Sequence, residues 1–480
     1  MISTRLLNSS PKEIVWINSF ILSIVTVLLV GVFVTPFYDK YCQAWALVSL
    51  IFVLVPLFLF LQSKEITHLT FLPVIALTWT YFLRPYLKSE EVYYPGRFIP
   101  NEYIHDMVLF PALGVILLFI GYYISWNSGK VKPISSVSYR FSNNALVRVT
   151  YWFIVLSIIN MVIYQVFFIQ LNTGQLFQII NNSTTILVSL TVLYIYRGGK
   201  NKVVVYLASM LIAVELIYSV AQTLSALIVY MLIGGFFVYS LEKKKIPWKM
   251  GLLVLLLGFP IYVNRFEHRE DASKRWSGES KSDFSLVLNE GINIITNDFS
   301  RFYGGDDPSK PQVQEIDRFE ATSYLGHLVY IHKFTTIEYK YGSTFLWLPL
   351  SILPRVIFPF KPSNNMDTDL AAEYGLRNPN FSSAFNFPQF AEAFINFGFW
   401  GIVVWGFFQG FLIKWVFAKV GFLRGDINLL AFINFCYILV NVESNITLVF
   451  GMMFQSLVFW WLLSKIVFKV ENKLKLKGTI

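Results

Sequence analysis

Long apolar runs separated by short polar stretches dominate this chain. A membrane-spanning helix needs about 20 mainly apolar residues, and the run 203–240 is long enough for two spans that meet at the polar break 219–222. The segments that approach this length are 14–34, 44–61, 69–83, 107–126, 149–171, 184–196, 203–218, 223–240, 250–264, 393–413, 427–442 and 447–468. The pattern predicts an all-α polytopic membrane protein with about 12 transmembrane helices.

Composition supports this class. Hydrophobic residues make up 55% of the 480 positions and charged residues only 14%, whereas a soluble domain carries about 25% charged residues. The net charge of +10 is expected of a membrane protein whose cytoplasmic loops collect Lys and Arg. Because no basic surface stands apart from those loops, no nucleic-acid partner is predicted.

Loop charges set the predicted orientation. Lys and Arg exceed Asp and Glu in the loops 127–148, 197–202, 241–249 and 414–426 and in the tail after residue 464, and such segments stay in the cytoplasm. The stretch 343–360 begins as an apolar run, but Pro349, Pro354 and Pro359 interrupt it. If it crossed the membrane, the basic loop 414–426 and the basic tail would lie on the extracytoplasmic side, against the charge rule. We therefore expect it to be re-entrant or interfacial, which requires its broken backbone to be buried in protein or to line a wet cavity.

This topology divides the chain into three regions. Residues 1–264 form an N-terminal membrane bundle of about nine helices. Residues 265–392 form one large extracytoplasmic loop region that contains the segment 343–360, and residues 393–480 form the C-terminal membrane helices and a basic cytoplasmic tail. Apolar residues in 312–334 recur at helical spacing, which predicts short amphipathic helices on the membrane surface within the large loop region.

Cations concentrate in the large loop region. Arg355 lies between a proline and an apolar run, where an unpaired guanidinium at the membrane boundary would be costly. An arginine fork binds phosphate oxygens through two parallel hydrogen bonds, so a diphosphate group at the bilayer surface would suit it. The same region carries the other candidate diphosphate-binding residues, which are Arg265, Arg301, Arg318, Lys361 and Arg377.

Candidate proton carriers lie nearby. His327 and His332 lie on the segment 312–334, and histidine can act as a general base near neutral pH. His327 is the preferred catalytic base, although a satisfied surface histidine is the simpler interpretation of each. Glu392 is the second candidate, and it could instead stabilise the N-terminus of its own helix, where the dipole favours an acid. Glu443 in the short turn near the C-terminus is a further acid that could serve as base or as an arginine partner.

Several common signatures are absent from the sequence. It contains no G-x-x-x-x-G-K-[ST] phosphate-binding loop, no H-E-x-x-H and no G-x-S-x-G. The paired acids at 306–307 and at 367 and 369 lie in turn-rich stretches, where Asp is common for local reasons, so no metal site is predicted. The energy for any reaction would have to come from the substrate.

Three strings then point to a family. YGSTF at 341–345, LPRVIFPFKP at 353–362 and AEAFINFGFWGIVVWGFFQG at 391–410 resemble the Wzy-type oligosaccharide repeat-unit polymerases of bacterial surface polysaccharide assembly. Their pattern is roughly Y-G-x-T, P-R-x-x-[WF]-P-x-K-P, then an acid and N-F-G-x-x-G. The resemblance covers 341–410; elsewhere it rests on topology. Arg355 and Lys361 match the pattern position by position, and the other cations match by location only.

The resemblance implies a GT-C-like glycosyltransferase of the bacterial inner membrane with its active site on the periplasmic face. It implies undecaprenyl-diphosphate-linked oligosaccharide as substrate, no cofactor, and a Wzz-type chain-length regulator as a partner. Relatives often have an arginine after Gly-Ser at the outer end of a middle helix, where this chain reads SVAQTLS at 219–225. Two alternatives stay open: an O-antigen ligase, which shares the architecture and chemistry, and a flippase of lipid-linked sugars, which would place charges along the spans.

Overall fold

The computed structural model describes part of the chain, and all structural statements concern that part. The described residues are 40–63, 71–72, 74–76, 78–79, 93–94, 97–98, 104–124, 141–162, 183–221, 231, 234–235, 238–239, 242, 284–304, 321–351, 366–376, 387–420 and 425–476.

The regular secondary structure of the described residues is helical apart from a short hairpin, in which the two-residue strands β1 (Tyr93–Tyr94) and β2 (Arg97–Phe98) pair antiparallel. In chain order the helices are α1 (Lys40–Ser63), α2 (Ile104–Ile124), α3 (Asn143–Asn160), α4 (Ser183–Tyr196), α5 (Lys202–Ala221), α6 (Phe284–Gly304), α7 (Ala321–Phe334), α8 (Leu348–Ser351), α9 (Met366–Glu373), α10 (Gln389–Val420), α11 (Asp426–Val440) and α12 (Ile446–Leu476), with a 3₁₀ turn at Ser343–Trp347 before α8.

Five of these helices are long and apolar enough to cross a membrane. Their apolar parts are Lys40–Leu59, His105–Ile124, Lys202–Ala221, Gln389–Val420 and Ile446–Lys465, and three shorter apolar helices lie at Ser183–Tyr196, Leu286–Thr296 and Asp426–Leu439. The protein is therefore an all-α membrane protein, as the sequence predicts. The predicted spans 14–34 and 250–264 lie outside the described residues and 69–83 and 223–240 are described only in pieces, so the count of 12 stays a prediction.

The chain packs as two units. The first comprises Met1–Ser138, Ile316–Leu353 and Ile357–Ser464, and the second comprises Tyr139–Glu315, Pro354–Val356 and Lys465–Ile480. The first unit thus joins early helices to late ones, and it contains the half-helix 389–396, the loop 339–344 and both histidines described below.

In the first unit, glycines allow α2 and α10 to pack with their backbones in contact. A Cβ atom at Gly410 would lie 2.0 Å from the Leu118 carbonyl oxygen, and one at Gly121 would lie 2.0 Å from that of Phe407. Small residues permit this close approach between membrane helices. A Cβ atom at Gly406 would likewise lie 2.6 Å from the Gly114 carbonyl oxygen. No larger residue fits at these positions without moving a helix.

The same contacts fix the relative direction of the helices. Gly406 of α10 contacts Gly114 of α2, and Gly410, four residues later, contacts Leu118, also four residues later. The two helices therefore run parallel. α1 runs in this direction as well, because the rings of Tyr41 and His105 lie 4.7 Å apart near the start of both helices and those of Phe52 and Phe119 lie 5.3 Å apart further along. These are the relative directions that the loop charges predict for the spans 44–61, 107–126 and 393–413.

In the second unit, α6 is longer than the short helices expected in the large loop region. It has 21 residues and packs against the end of α5, where Val287 contacts Tyr218 and Ala221. A Cβ at Gly291 would lie 2.4 Å from the Ile217 carbonyl oxygen. α6 is therefore an integral packing element of its unit.

Candidate functional site

α10 is two helices that fold back on each other, although its helical hydrogen bonding is nearly continuous. Phe397 has φ −140° and ψ 20°, and Gly398 has φ 58° and ψ −144°, a conformation that only glycine adopts readily. The Nε2 of Gln409 donates to Oε1 of Gln389 at 3.0 Å, whereas a straight helix would separate their Cα atoms by about 30 Å. Residues 389–396 thus form a half-helix that is antiparallel to the return helix 399–420.

Further contacts confirm this helical hairpin. A Cβ at Gly401 would lie 1.9 Å from the Ala393 carbonyl oxygen across the two arms. The ring of Phe110 in α2 lies 6.1 Å from that of Phe394 on one arm and 5.1 Å from that of Phe399 on the other. The return helix is about 33 Å long, which still matches the hydrocarbon core of a bilayer.

The hairpin corrects the predicted start of the return helix. The predicted span begins at residue 393, but Ala393 lies on the half-helix, which runs in the opposite direction. Residues 389–396 are all buried, and this is the condition under which re-entrant backbone is tolerated at membrane depth. Of the predicted re-entrant segment 343–360, only residues 343–351 are described, and they form the 3₁₀ turn and α8.

The loop 339–344 covers the end of the half-helix. A helix break removes the hydrogen-bond partners of the last carbonyl groups, and buried carbonyls need replacements. The backbone N–H of Lys340 donates to the Ile395 carbonyl at 2.8 Å, and that of Tyr341 donates to the Asn396 carbonyl at 3.1 Å. The loop therefore satisfies the backbone groups that the break leaves open.

The Asn396 side chain fixes the loop to the hairpin. It is fully buried. Its Oδ1 accepts from the Gly342 N–H at 2.9 Å, and its Nδ2 donates to Thr344 Oγ1 and to the Glu392 carbonyl, each at 2.8 Å. The strings YGST and NFGFWG, which the resemblance to polymerases singles out, thus bind each other directly.

Glu392 stabilises the start of a different helix from its own. The carboxyl group is fully buried, and its Oε2 accepts from the backbone N–H of Ile446 at 2.6 Å. Ile446 is the first residue of α12, and helix N-termini favour an acid because their N–H groups are open and the dipole is positive there. Glu392 thus caps α12, and it also lies in the first turn of its own helix, α10, where the dipole favours an acid. Thr447 adds a bond from its Oγ1 to the Thr344 carbonyl at 3.3 Å.

His327 is a buried link between α7 and the segment 366–376. Only 1% of the residue is exposed, and its Nε2 lies 2.9 Å from the Tyr374 carbonyl oxygen. Because a carbonyl only accepts, Nε2 carries the hydrogen, and in the neutral ring only Nδ1 could take up a proton. The interpretation as a surface histidine is wrong, and the catalytic role stays a prediction.

His332 lies beside the loop 339–344. Its ring stacks on Tyr339 with centroids 4.4 Å apart and planes 9° apart, and Nδ1 donates to the Ile337 carbonyl at 3.1 Å. Burial lowers the pKa of His332, the bond to Ile337 opposes that shift, and the charge of Lys340 lowers the pKa further. The imidazole is therefore neutral near pH 7, with Nε2 as its basic nitrogen.

The outer surface of the loop carries an ion pair and an aromatic ring. The Nζ of Lys340 binds Oε1 of Glu373, and both side chains are partly exposed. Tyr341 is 71% exposed. The site thus combines a rigid, buried anchor with charged and aromatic groups that face outward.

The predicted diphosphate-binding residues are not placed. The backbone of Arg301 belongs to α6, but its side chain is outside the described part of the structure. The others lie entirely outside the described residues: Arg265, Arg318, Arg355, Lys361 and Arg377. Their role therefore remains a prediction.

Sequence reasoning singled out Glu392 and both histidines but assigned no role to Asn396 or Tyr341. The available signal was the string N-F-G, in which a buried amide precedes the glycine that breaks the helix. No protein-family model, curated protein or solved structure matches this chain. Fold and site define an all-α membrane protein with a buried half-helix anchored to a loop.

Proposed function

We propose that this protein is a GT-C-like, membrane-embedded glycosyltransferase that joins undecaprenyl-diphosphate-linked oligosaccharide repeat units into a surface polysaccharide. It would act on the periplasmic face of a bacterial inner membrane. The observation that carries the proposal is the mutual binding of the YGST and NFGFWG strings through Asn396. These strings resemble those of Wzy-type polymerases, and their association supports treating them as parts of one site.

In this mechanism the donor supplies its own leaving group, the lipid diphosphate. Arg355 neutralises the charge that builds up on that group, because preorganised charge is usually the largest catalytic contribution. Five further cations of the large loop region assist it: Arg265, Arg301, Arg318, Lys361 and Arg377. A hydroxyl of the acceptor sugar attacks the anomeric carbon, the glycosidic bond forms, and the bond to the diphosphate breaks.

The proton of the attacking hydroxyl needs an acceptor. His327, Glu392 and His332 are the candidates in the described part of the loop region. The Nε2 of His327 is bonded to a carbonyl, and a carboxylate oxygen of Glu392 is bonded to the start of α12. Each histidine keeps one basic nitrogen, Nδ1 in His327 and Nε2 in His332. His332 is better suited, because it is partly exposed beside the loop 339–344, whereas His327 is buried. His327 and Glu392 would then position the loop.

Arg355 provides the direct test. The purified full-length protein in lipid nanodiscs would be supplied with the lipid-linked repeat unit extracted from a strain that lacks the gene, and polymer formation would be followed by gel electrophoresis. We expect Arg355→Ala to lower turnover about 100-fold or more, as loss of one transition-state-stabilising group typically does. Arg148→Ala is the control, because Arg148 is an exposed arginine in a predicted cytoplasmic loop.

Wild-type turnover in the Arg355→Ala protein would contradict the proposed role of Arg355. The gene deletion separates the related functions. A polymerase deletion should leave single repeat units on the lipid A core, a ligase deletion should leave no repeat units there, and a flippase deletion should leave the lipid-linked units on the cytoplasmic face.

A further inference from the structure

Tyr341 has an unusual backbone conformation. Its φ is 45°, and it is the single non-glycine residue with positive φ in the described part of the chain. A bulky residue in this region is a true outlier, since the left-handed conformation brings Cβ close to the following carbonyl. Glycine or asparagine would adopt it at lower cost.

The surrounding hydrogen bonds hold Tyr341 in this conformation. Its own N–H is bonded to the Asn396 carbonyl at 3.1 Å, and the N–H of Ser343 is bonded to the Lys340 carbonyl at 2.9 Å across the turn. The next residue, Gly342, has φ 86°, and a Cβ there would meet the Phe397 ring at 3.1 Å. Backbone strain that is held in this way clusters at functional sites.

Packing does not explain why this residue is a tyrosine. The side chain is 71% exposed, and its ring contacts Tyr339 at 6.4 Å between centroids, with the planes at 77°. Neither the backbone nor the core therefore calls for an aromatic residue here. The reason for an aromatic residue at this position must therefore lie in what the outward-facing ring contacts.

The neighbours of this ring define the class of ligand. Lys340, the residue before Tyr341, forms a partly exposed ion pair with Glu373, which offers ammonium donors and carboxylate acceptors. A pyranose has an apolar face of C–H bonds and a rim of hydroxyl groups. A tyrosine ring supplies apolar area and a polar tip at low conformational cost.

We propose that Tyr341 is the platform on which a pyranose ring of the lipid-linked oligosaccharide stacks, with Lys340 and Glu373 binding its hydroxyl groups. This inference rests on the proposed function and names the residue that positions the sugar. The loop holds the ring rigidly at the outer surface of the hairpin, so the sugar meets a preformed site.

An interfacial tyrosine that only anchors the protein at the membrane surface is the competing explanation. Tyr206 in α5 provides a matched control, because it is also 71% exposed but lies within a regular helix. Replacing both residues separates a sugar platform from a general exposed aromatic residue.

The test measures turnover of the extracted lipid-linked repeat unit by full-length variants in nanodiscs. We expect Tyr341→Gly to raise KM roughly tenfold, equivalent to about 1.4 kcal/mol, with kcat within about twofold, because stacking binds ground state and transition state alike. Its melting temperature should be unchanged or raised, since glycine relieves the strain. Tyr341→Phe keeps the ring and should raise KM less than Tyr341→Gly does, and Tyr206→Ala should retain the wild-type KM within about twofold.

A wild-type KM in Tyr341→Gly, or an equal rise in KM in Tyr206→Ala, would overturn the inference and leave the proposed function standing. Tyr341→Asn, which also tolerates positive φ, guards against misfolding of the glycine variant. If both variants melt well below the wild type, the ring is structural and the inference is wrong. If the wild type itself shows no turnover, the proposed function fails and the inference with it.

Discussion

At the scale of residues, a few buried polar side chains organise the site. Asn396 bonds two backbone groups and one hydroxyl, and Glu392 bonds the start of α12. A buried polar group that loses its partner costs about 1–3 kcal/mol. These two residues therefore hold the loop 339–344, the half-helix and α12 in one arrangement.

His332 gives a prediction at this scale. Its pKa in the folded protein is below the ordinary value of 6.5 because of burial. As pH falls below that value, the unfolded chain takes up a proton before the folded protein does, so the free energy of unfolding decreases. We expect the wild-type melting temperature to fall between pH 7.5 and pH 5.5, and this fall to be smaller in His332→Phe, which keeps the stack on Tyr339.

Thermal unfolding of both proteins in the same detergent, measured at several pH values, checks this expectation. Lys333→Ala serves as the control, because Lys333 is the adjacent residue on α7 and is exposed. Parallel pH profiles for wild type and His332→Phe would contradict the assignment of the acid sensitivity to this imidazole.

At the scale of elements, the helical hairpin depends on Gly398. Its φ of 58° and ψ of −144° are costly for any residue with a Cβ, and that Cβ would also lie 3.0 Å from the Tyr339 hydroxyl oxygen. The break is what frees the carbonyls that the loop binds, so the hairpin and the loop form together.

We expect Gly398→Ala to destabilise the protein by about 1–3 kcal/mol. Unfolding by a graded denaturing detergent would measure the loss. Gly198→Ala is the matched control, since Gly198 also has positive φ, 77°, but has open space around its Cβ position. If Gly398→Ala loses no more stability than Gly198→Ala, then neither the contact with Tyr339 nor the ψ of Gly398 adds to the cost of a Cβ there.

At the scale of the whole molecule, the order of charges along the loops predicts which ends of the helices face outward. The loop that carries Glu338 and Tyr341 should be periplasmic and the loop 414–426 cytoplasmic. The contacts in the first unit agree on relative direction, because α1, α2 and the return helix run parallel.

Cysteine labelling measures the sidedness. In a background lacking Cys42 and Cys436, we expect Glu338→Cys to react with a membrane-impermeant maleimide in spheroplasts. Arg424→Cys should react only after the membrane is permeabilised. Labelling of both positions in intact spheroplasts would contradict the assignment of loop 414–426 to the cytoplasm and would place the site on the other face.

The sequence by itself determined the membrane class, the approximate helix positions and the relative directions of neighbouring spans, because hydrophobic length and loop charge are local properties. It also marked YGST and NFGFWG, because each resembles part of the polymerase pattern. The prolines in 343–360 led to the expectation of re-entrant backbone there, which stays a prediction. The half-helix 389–396 was not expected, because its apolar residues look like part of an ordinary span.

Only the tertiary structure decided which partners the polar residues have. Glu392 binds Ile446, 54 positions away, and Asn396 binds Gly342. His327 is buried against Tyr374, and His332 is the histidine beside the loop. Such pairings depend on how distant segments pack, since a single glycine at position 398 reverses the chain, and no local pattern contains that information.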